Sequence, residues 1–286
     1  MVTNKVFLAA THGGLARAEC RGGVWLVETT LPGVQVNCLA RDPHDPRRVY
    51  AGTQRHGLLR SGDSGKTWQS AGLLNIPVKS LAISLHQPGL LYAGCKPVSL
   101  FRSQDGAETW EELPGLRRAR QWWWFSPAEP PDWRAYVMAL TISPSDPQVI
   151  MAGIEFGGVL RSEDGGRTWS GHRRGALRDC HSLTFHPAQG DRVYQGGAGG
   201  ASISQDGGRT WRKHKAGLEK TYGWMVAADP ARPDVLYLSA GPMPNLLRRE
   251  FEPPAHVDGR ANASIYRSVG GEPWRELSGG LPQPLD

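Results

Sequence analysis

The chain has 286 residues, a formal net charge of +6, and 36 Gly, 22 Pro and four Cys scattered along its length. No apolar run reaches the roughly 18–20 residues of a membrane span, no Lys/Arg tract has the length of a nucleic-acid-binding segment, and no C-x-x-C pair, H-E-x-x-H or acidic calcium loop offers a metal site. Gly and Pro placed between short apolar runs predict many short strands joined by turns.

Residues 1–10 carry one Lys and a short apolar run with no cleavage-site pattern after it. They read as a strand rather than a signal peptide, which predicts a cytoplasmic chain with free thiols. A first unit offers strands over 6–9 and 15–17 and a turn over 21–25. From there a four-strand pattern, A to D, repeats. The second unit has A at 36–40, B at 48–52 and C at 58–61. The third has 80–83, 90–94 and 100–103, the fourth 137–142, 149–153 and 159–162. The fifth has 181–185, 192–194 and 201–204, and the sixth 225–228, 235–238 and 265–268.

Each C strand runs into a similar turn. Residues 61–68, 103–110, 162–169 and 204–211 follow S-x-D-x-G-x-T-W, with Ala107 replacing the Gly in the second copy; the sixth, 268–274, has lost its Asp. The Asp carboxylate can accept bonds from its own turn's N–H groups, the Gly can take positive φ, the hydroxyls can tie the flanking strands, and the Trp can fill the gap between two sheets. The Trp residues at 25, 68, 110, 169, 211 and 274 lie 43, 42, 59, 42 and 63 apart. A period of about 40–45 residues suits a four-stranded propeller blade, and the two long intervals mark insertions at 113–134 and 241–262.

This turn resembles the Asp-box, or BNR repeat, of sialidase-like and sortilin-like propellers, and the resemblance spans about residues 5–280. It implies an all-β fold: one β-propeller domain over 1–286, with four-stranded antiparallel blades. Six repeats are recognisable. Either the ring is six-bladed with an incomplete first blade, or it is seven-bladed with its last blade absent from this chain. The superfamily includes sialidases, xyloglucan-active hydrolases, sorting receptors and photosystem assembly factors. The early Arg-Ile-Pro motif of sialidases is missing, and the chain looks more like bacterial BNR-like repeat proteins.

Strand parity puts the A–B turns and the D-bearing turns on one face, and the B–C and D–A loops, with both insertions, on the other. Long loops on a rigid scaffold are where binding is expected. On that face, positions equivalent from blade to blade differ in chemistry. Glu155, Asp179 and His181 form the candidate catalytic group. Arg134, Tyr136, Tyr222, Trp224, His12, His56 and Trp123, the last from the Trp122–Trp124 run, are the candidate ligand-binding residues. Two readings stay open. One is a binding propeller for a small anionic or carbohydrate-like ligand or a protein partner. The other is a glycoside hydrolase or lyase using Glu155, Asp179 and His181, because glycoside cleavage needs an acid and a base or nucleophile flanking the bond. The bland alternative is that His181 bonds a neighbouring backbone carbonyl. No cofactor, nucleic acid or membrane is expected, and a monomer is.

Overall fold

A computed structural model of the chain describes residues 5–121, 124, 126, 132–244 and 260–280. It is an all-β propeller fold of six antiparallel blades, with one short helix among the described residues. No helix among the described residues is long and apolar enough to cross a membrane. The residues group into two compact units, Met1–Pro114 and Gly115–Asp286, each contributing three blades.

In the first unit, β1 (Lys5–Thr11), β2 (Gly14–Arg21) and β3 (Val24–Thr29) make a three-stranded blade. β4 (Val36–Arg41), β5 (Val49–Thr53), β6 (Leu58–Ser61) and β7 (Gln69–Ser70) make the second. β8 (Val78–Ile83), β9 (Leu91–Cys95), β10 (Ser99–Ser103) and β11 (Glu111–Glu112) make the third. In the second unit the helix α1 (Gly115–Arg118) is followed by β12 (Val137–Ile142), β13 (Ile150–Ile154) and β14 (Gly158–Ser162), with an Arg161–Ser170 bridge standing for a fourth strand. β15 (Cys180–His186), β16 (Gln189–Gly197), β17 (Gly200–Ser204) and β18 (Arg212–His214) form the fifth blade. β19 (Tyr222–Asp229), β20 (Arg232–Gly241), β21 (Ser264–Val269) and β22 (Arg275–Glu276) form the sixth. The strands fall where the repeat predicts them, and the insertions lie between β11 and β12 and between β20 and β21.

The second strand of blades two to four is buried at every position. V-Y-A-G-like segments suit this place, because side chains on both faces are buried and both edges are hydrogen-bonded.

The recurring turn behaves as its residues require. In the first copy Asp63 Oδ1 accepts the N–H groups of Lys66 (3.0 Å) and Thr67 (2.9 Å), while Oδ2 accepts the Thr67 hydroxyl at 2.7 Å. Ser61 Oγ accepts the Gly65 N–H at 2.8 Å and donates to Asp63 at 2.7 Å. Asp105, Asp164 and Asp206 repeat the pattern. Two successive residues take positive φ in each copy, such as Ser64 and Gly65, or Gly106 and Ala107. Gly22–Gly23 and Gly270–Gly271 do the same. The turns without an Asp therefore keep the backbone after losing its side-chain brace.

Two kinds of contact tie neighbouring blades within each unit. An Arg from the third strand reaches forward to the carbonyl just after the next blade's Asp. Arg17 Nε meets Ser64 O at 3.0 Å, Arg60 Nη1 meets Gly106 O at 2.9 Å, and Arg161 Nε meets Gly207 O at 2.9 Å. The Trp of the turn reaches backward. Trp68 Nε1 donates to Thr30 Oγ1 at 3.3 Å, and Trp110 Nε1 to Ala71 O at 2.9 Å. Trp211 packs into the cluster of Met151, Val159 and Ala176, and Trp274 lies with Tyr194 and Ala201.

Removing the guanidinium from the buried Arg161 leaves the Gly207 carbonyl unpaired. Arg161→Met is expected to lower unfolding stability by about 1–3 kcal/mol, read by chemical denaturation. A methyl on Gly208, at φ 84°, would stand 2.4 Å from Met151 Sδ. Gly208→Ala should therefore cost about 2 kcal/mol or more, even though Ala107 occupies the equivalent place two blades earlier, where a cluster of Tyr50, Leu58 and Ala71 accommodates it.

Candidate functional site

The first strand of each of blades two to six carries a register shift near its start. The shifts fall between Val36 and Cys38, Val78 and Ser80, Val137 and Ala139, Cys180 and Ser182, and Gly223 and Met225. The bulged residues are Asn37, Lys79, Met138, His181 and Trp224. A bulge leaves one residue outside the ladder and re-aims its side chain. The positions that vary in chemistry from blade to blade are thus those the backbone releases from the packing rule.

Two bulged residues make the same bond. Asn37 Nδ2 donates to Val78 O at 3.0 Å, and His181 Nδ1 donates to Gly223 O at 2.7 Å. In both cases the acceptor is the carbonyl just before the next blade's bulge. His181 therefore serves as a strap between the fifth and sixth blades, as the bland reading of this residue anticipates.

Around it the second unit assembles Glu155, Asp179, Tyr136, Tyr222 and Trp224. Glu155 is 3% exposed, Asp179 6% and His181 5%. His181 Nε2 lies 3.2 Å from Asp179 Oδ1, off the N–H direction, so the pair is a charge contact rather than an aligned hydrogen bond. Neither Asp179 oxygen has an aligned hydrogen bond among the described residues. The imidazole is flanked by Tyr222, with centroids 4.7 Å apart, and by Trp224 at 5.0 Å. Trp224 is 41% exposed and is the accessible part of the group.

Burial pushes the Glu155 carboxyl above its usual range, the Asp179 charge adds to this, and the Tyr136 hydroxyl, His181 and Ser126 oppose it. Burial by itself would lower His181, but Asp179 and the Gly223 carbonyl more than reverse it, so the imidazole is held above its ordinary value. Burial also drives the Cys180 thiol up to about 12 and raises the Tyr222 hydroxyl. A shielded thiol and phenol of this kind are poor nucleophiles and bases at neutral pH.

The insertion enters the same place. Ser126 Oγ donates to Glu155 Oε1 at 3.4 Å. Trp124 is buried and lies against Gly157, where an added Cβ would stand 3.1 Å from its ring. Sequence reading missed Ser126; its only signal is its place just after the Trp run. Trp123 lies outside the described residues. Arg134 is exposed and forms a two-pronged pair with Asp132, at 2.7 and 2.9 Å. His12 and His56 sit on exposed turns of the first unit. His56 lines a cavity of about 240 Å³ with Gln35, Gln54 and Arg55, and Gln54 Oε1 is held there by Lys79 Nζ at 2.7 Å. Among the described residues no three His, Cys, Asp or Glu side chains are placed to hold a metal ion.

No family model matches the sequence, and no curated protein matches it. Solved structures do resemble the fold. An ancestral GH74 enzyme superposes with a TM-score of 0.67 at 19% identity, covering 87% of this chain and 32% of that one. The GH74 xyloglucanase from Xanthomonas campestris gives 0.60 at 19%, covering 99% and 40%. The chain thus spans well under half the length of these enzymes. A structure described as YCF48 bound to D1 peptide gives 0.58 at 14% identity, covering 96% of this chain and 85% of that one. Identities this low establish the propeller fold alone.

The shifts on Glu155 and His181 set the direction of a pH response. Both groups hold protons in the folded state at pH values where the unfolded chain has released them, so both contributions to stability decline as pH rises above their unfolded values. Burial depresses His172 and His214, whose contributions run the other way over the same range, so the informative quantity is a difference: Glu155→Gln, which keeps an acceptor for Ser126, is expected to gain melting temperature relative to wild type as pH rises from about 5 to about 8. Thermal unfolding of both proteins across this range checks it; a difference that does not change with pH would contradict the assignment.

Proposed function

We propose that this chain is a binding propeller whose second unit takes an anionic partner, in the first place an acidic polypeptide segment, on the face formed by its B–C and D–A loops. The observation that carries this reading is the state of the carboxylates. Glu155 and Asp179 are buried, and His181 is committed to the Gly223 carbonyl. A glycosidase pair must reach the bond from both sides, with room for the sugar and for water. What the face offers instead is Trp224, 41% exposed, as an apolar contact surface.

Electrostatics favour the anion. Arg178 and Lys213 are exposed on this side, and after burial their positive charges are what lower the His172 imidazole. Such a field speeds the encounter with negative ligands and fades with salt. The neighbours are compatible with a peptide: YCF48 is matched over most of its own length and its structure holds a peptide. The GH74 enzymes, matched over a smaller share, keep a carbohydrate reading in view.

The test is a titration of the protein with labelled acidic peptides and with xyloglucan oligosaccharides. Acidic peptide should bind, Trp224→Ala should weaken binding about tenfold, as loss of a central aromatic anchor does, and Lys213→Glu should weaken it mainly at low salt. Glu155→Gln should bind like wild type. Release of reducing sugar by the wild type, abolished in Glu155→Gln, would overturn the proposal in favour of a hydrolase.

A further inference from the structure

We infer that the first blade is an acceptor for an extended segment of a separate polypeptide, which adds to it as an innermost strand along β1. The inference concerns the first unit and is independent of the function proposed above.

In blades two to six the first strand pairs antiparallel with the second. The first blade's sheet runs β1-β2-β3, and the register shows that β1 is the second-strand equivalent. Phe7 pairs with Ala18 as Val49 pairs with Ser61, and Thr11 stands where Thr53 does. Among the described residues β1 has β2 as its one ladder partner. Its burial differs accordingly. β5, β9 and β13 are buried at all five positions, whereas β1 is exposed at five of seven, with Phe7 at 61%.

A cavity of about 580 Å³ lies between this edge and the second blade. Phe7 and Leu8 form one wall, Leu39 and Ala40 of β4 the other, and Arg41 and Arg47 line the same cavity. Elsewhere in this unit the corresponding space is filled by protein: β8 packs beside β4, as an innermost strand of the first blade would pack on β4's other side.

The chain itself shows five times what occupies such a place. The segments are Val36–Arg41, Val78–Ile83, Val137–Ile142, the start of Cys180–His186, and the start of Tyr222–Asp229. The first four share a bulged second residue, a small third residue and an aliphatic fourth; the fifth, counted from Gly223, keeps the bulge and the aliphatic fourth residue but has Met225 third. Transferring the register sets the new strand's first residue opposite Thr11, its small third residue opposite Ala10, its Leu opposite Ala9, and its sixth residue opposite Phe7. Ala10 replaces the Gly of the second blade, where a Cβ would come within 2.5 Å of Cys38 Sγ, so the third residue here must be Ser, Ala or Gly. The far end meets Arg41 and Arg47. Arg47 has a distant contact with Asp45, 3.9 Å. An acidic residue after the sixth position complements these charges. Strand addition of this kind draws affinity from main-chain bonds and selectivity from alternate side chains.

The experiment uses the full chain and a fluorescent peptide with the sequence of residues 78–83 followed by Asp. Saturable binding is expected by anisotropy. Of two versions N-methylated at alternating residues, one should bind at least about tenfold more weakly and the other within about twofold, because only one set of amides faces β1. Arg41→Glu combined with Arg47→Glu, both surface positions, should weaken binding about fivefold at low salt and less at high salt, with an unchanged circular dichroism spectrum. Absence of binding, or equal loss for both N-methylated versions, would overturn the inference. So would a concentration-dependent dimer dispersed by the peptide, which would assign the groove to a second copy.

Discussion

The hydrogen bond from an arginine guanidinium to the carbonyl of the next blade's turn is the contact on which the arrangement of each unit rests. A three- or four-stranded sheet of this size cannot bury both faces alone and must be stacked on another. The Arg sets the distance and the Trp returns the contact from the opposite side. Between them lie the apolar clusters of Tyr50, Leu91 and Ala93, or of Met151, Val159 and Phe185. The carbonyl is available only because the turn holds two successive residues at positive φ, and the Asp brace keeps it so. Asp63 illustrates the cost and gain: burial tends to raise its carboxyl, yet the Thr67, Ser61 and Lys66 donors draw it down to about 2.

The same repeat that builds the blades also produces the candidate site. The bulge at the start of the first strand in blades two to six frees one side chain in each, and its uses vary. Asn37 and His181 turn it into a strap, Lys79 into a partner for Gln54, and Trp224 into exposed surface. The chemistry of Glu155, Asp179 and His181 follows from burial more than from identity. Two carboxylates and an imidazole would suit acid–base work in an open cleft. Beside Tyr222 they form a buried group that joins the fifth and sixth blades through the His181–Gly223 bond.

The candidate residues were partly legible in the chain. Glu155, Asp179, His181, Tyr136, Tyr222 and Trp224 can be grouped from strand parity and repeat register, because a period of about 42 residues makes corresponding positions neighbours. His12, His56 and Arg134 share the face by the same argument, but face membership does not set contact. Arg134 is drawn to Asp132 two residues away, a local pairing that parity cannot anticipate. Ser126 was not legible from the register, since an insertion has no counterpart in the repeat to align it with.

The blade boundaries, the turn chemistry, the place of the Trp and the two insertions were determined by the sequence alone, because each depends on local hydrogen bonding and on a repeating period. The tertiary structure decided which of the variable side chains are covered and which are exposed, and among the described residues it gives β1 one ladder partner. Burial depends on what the neighbouring blade and the inserted loop bring to the same point in space, and no local pattern carries that information.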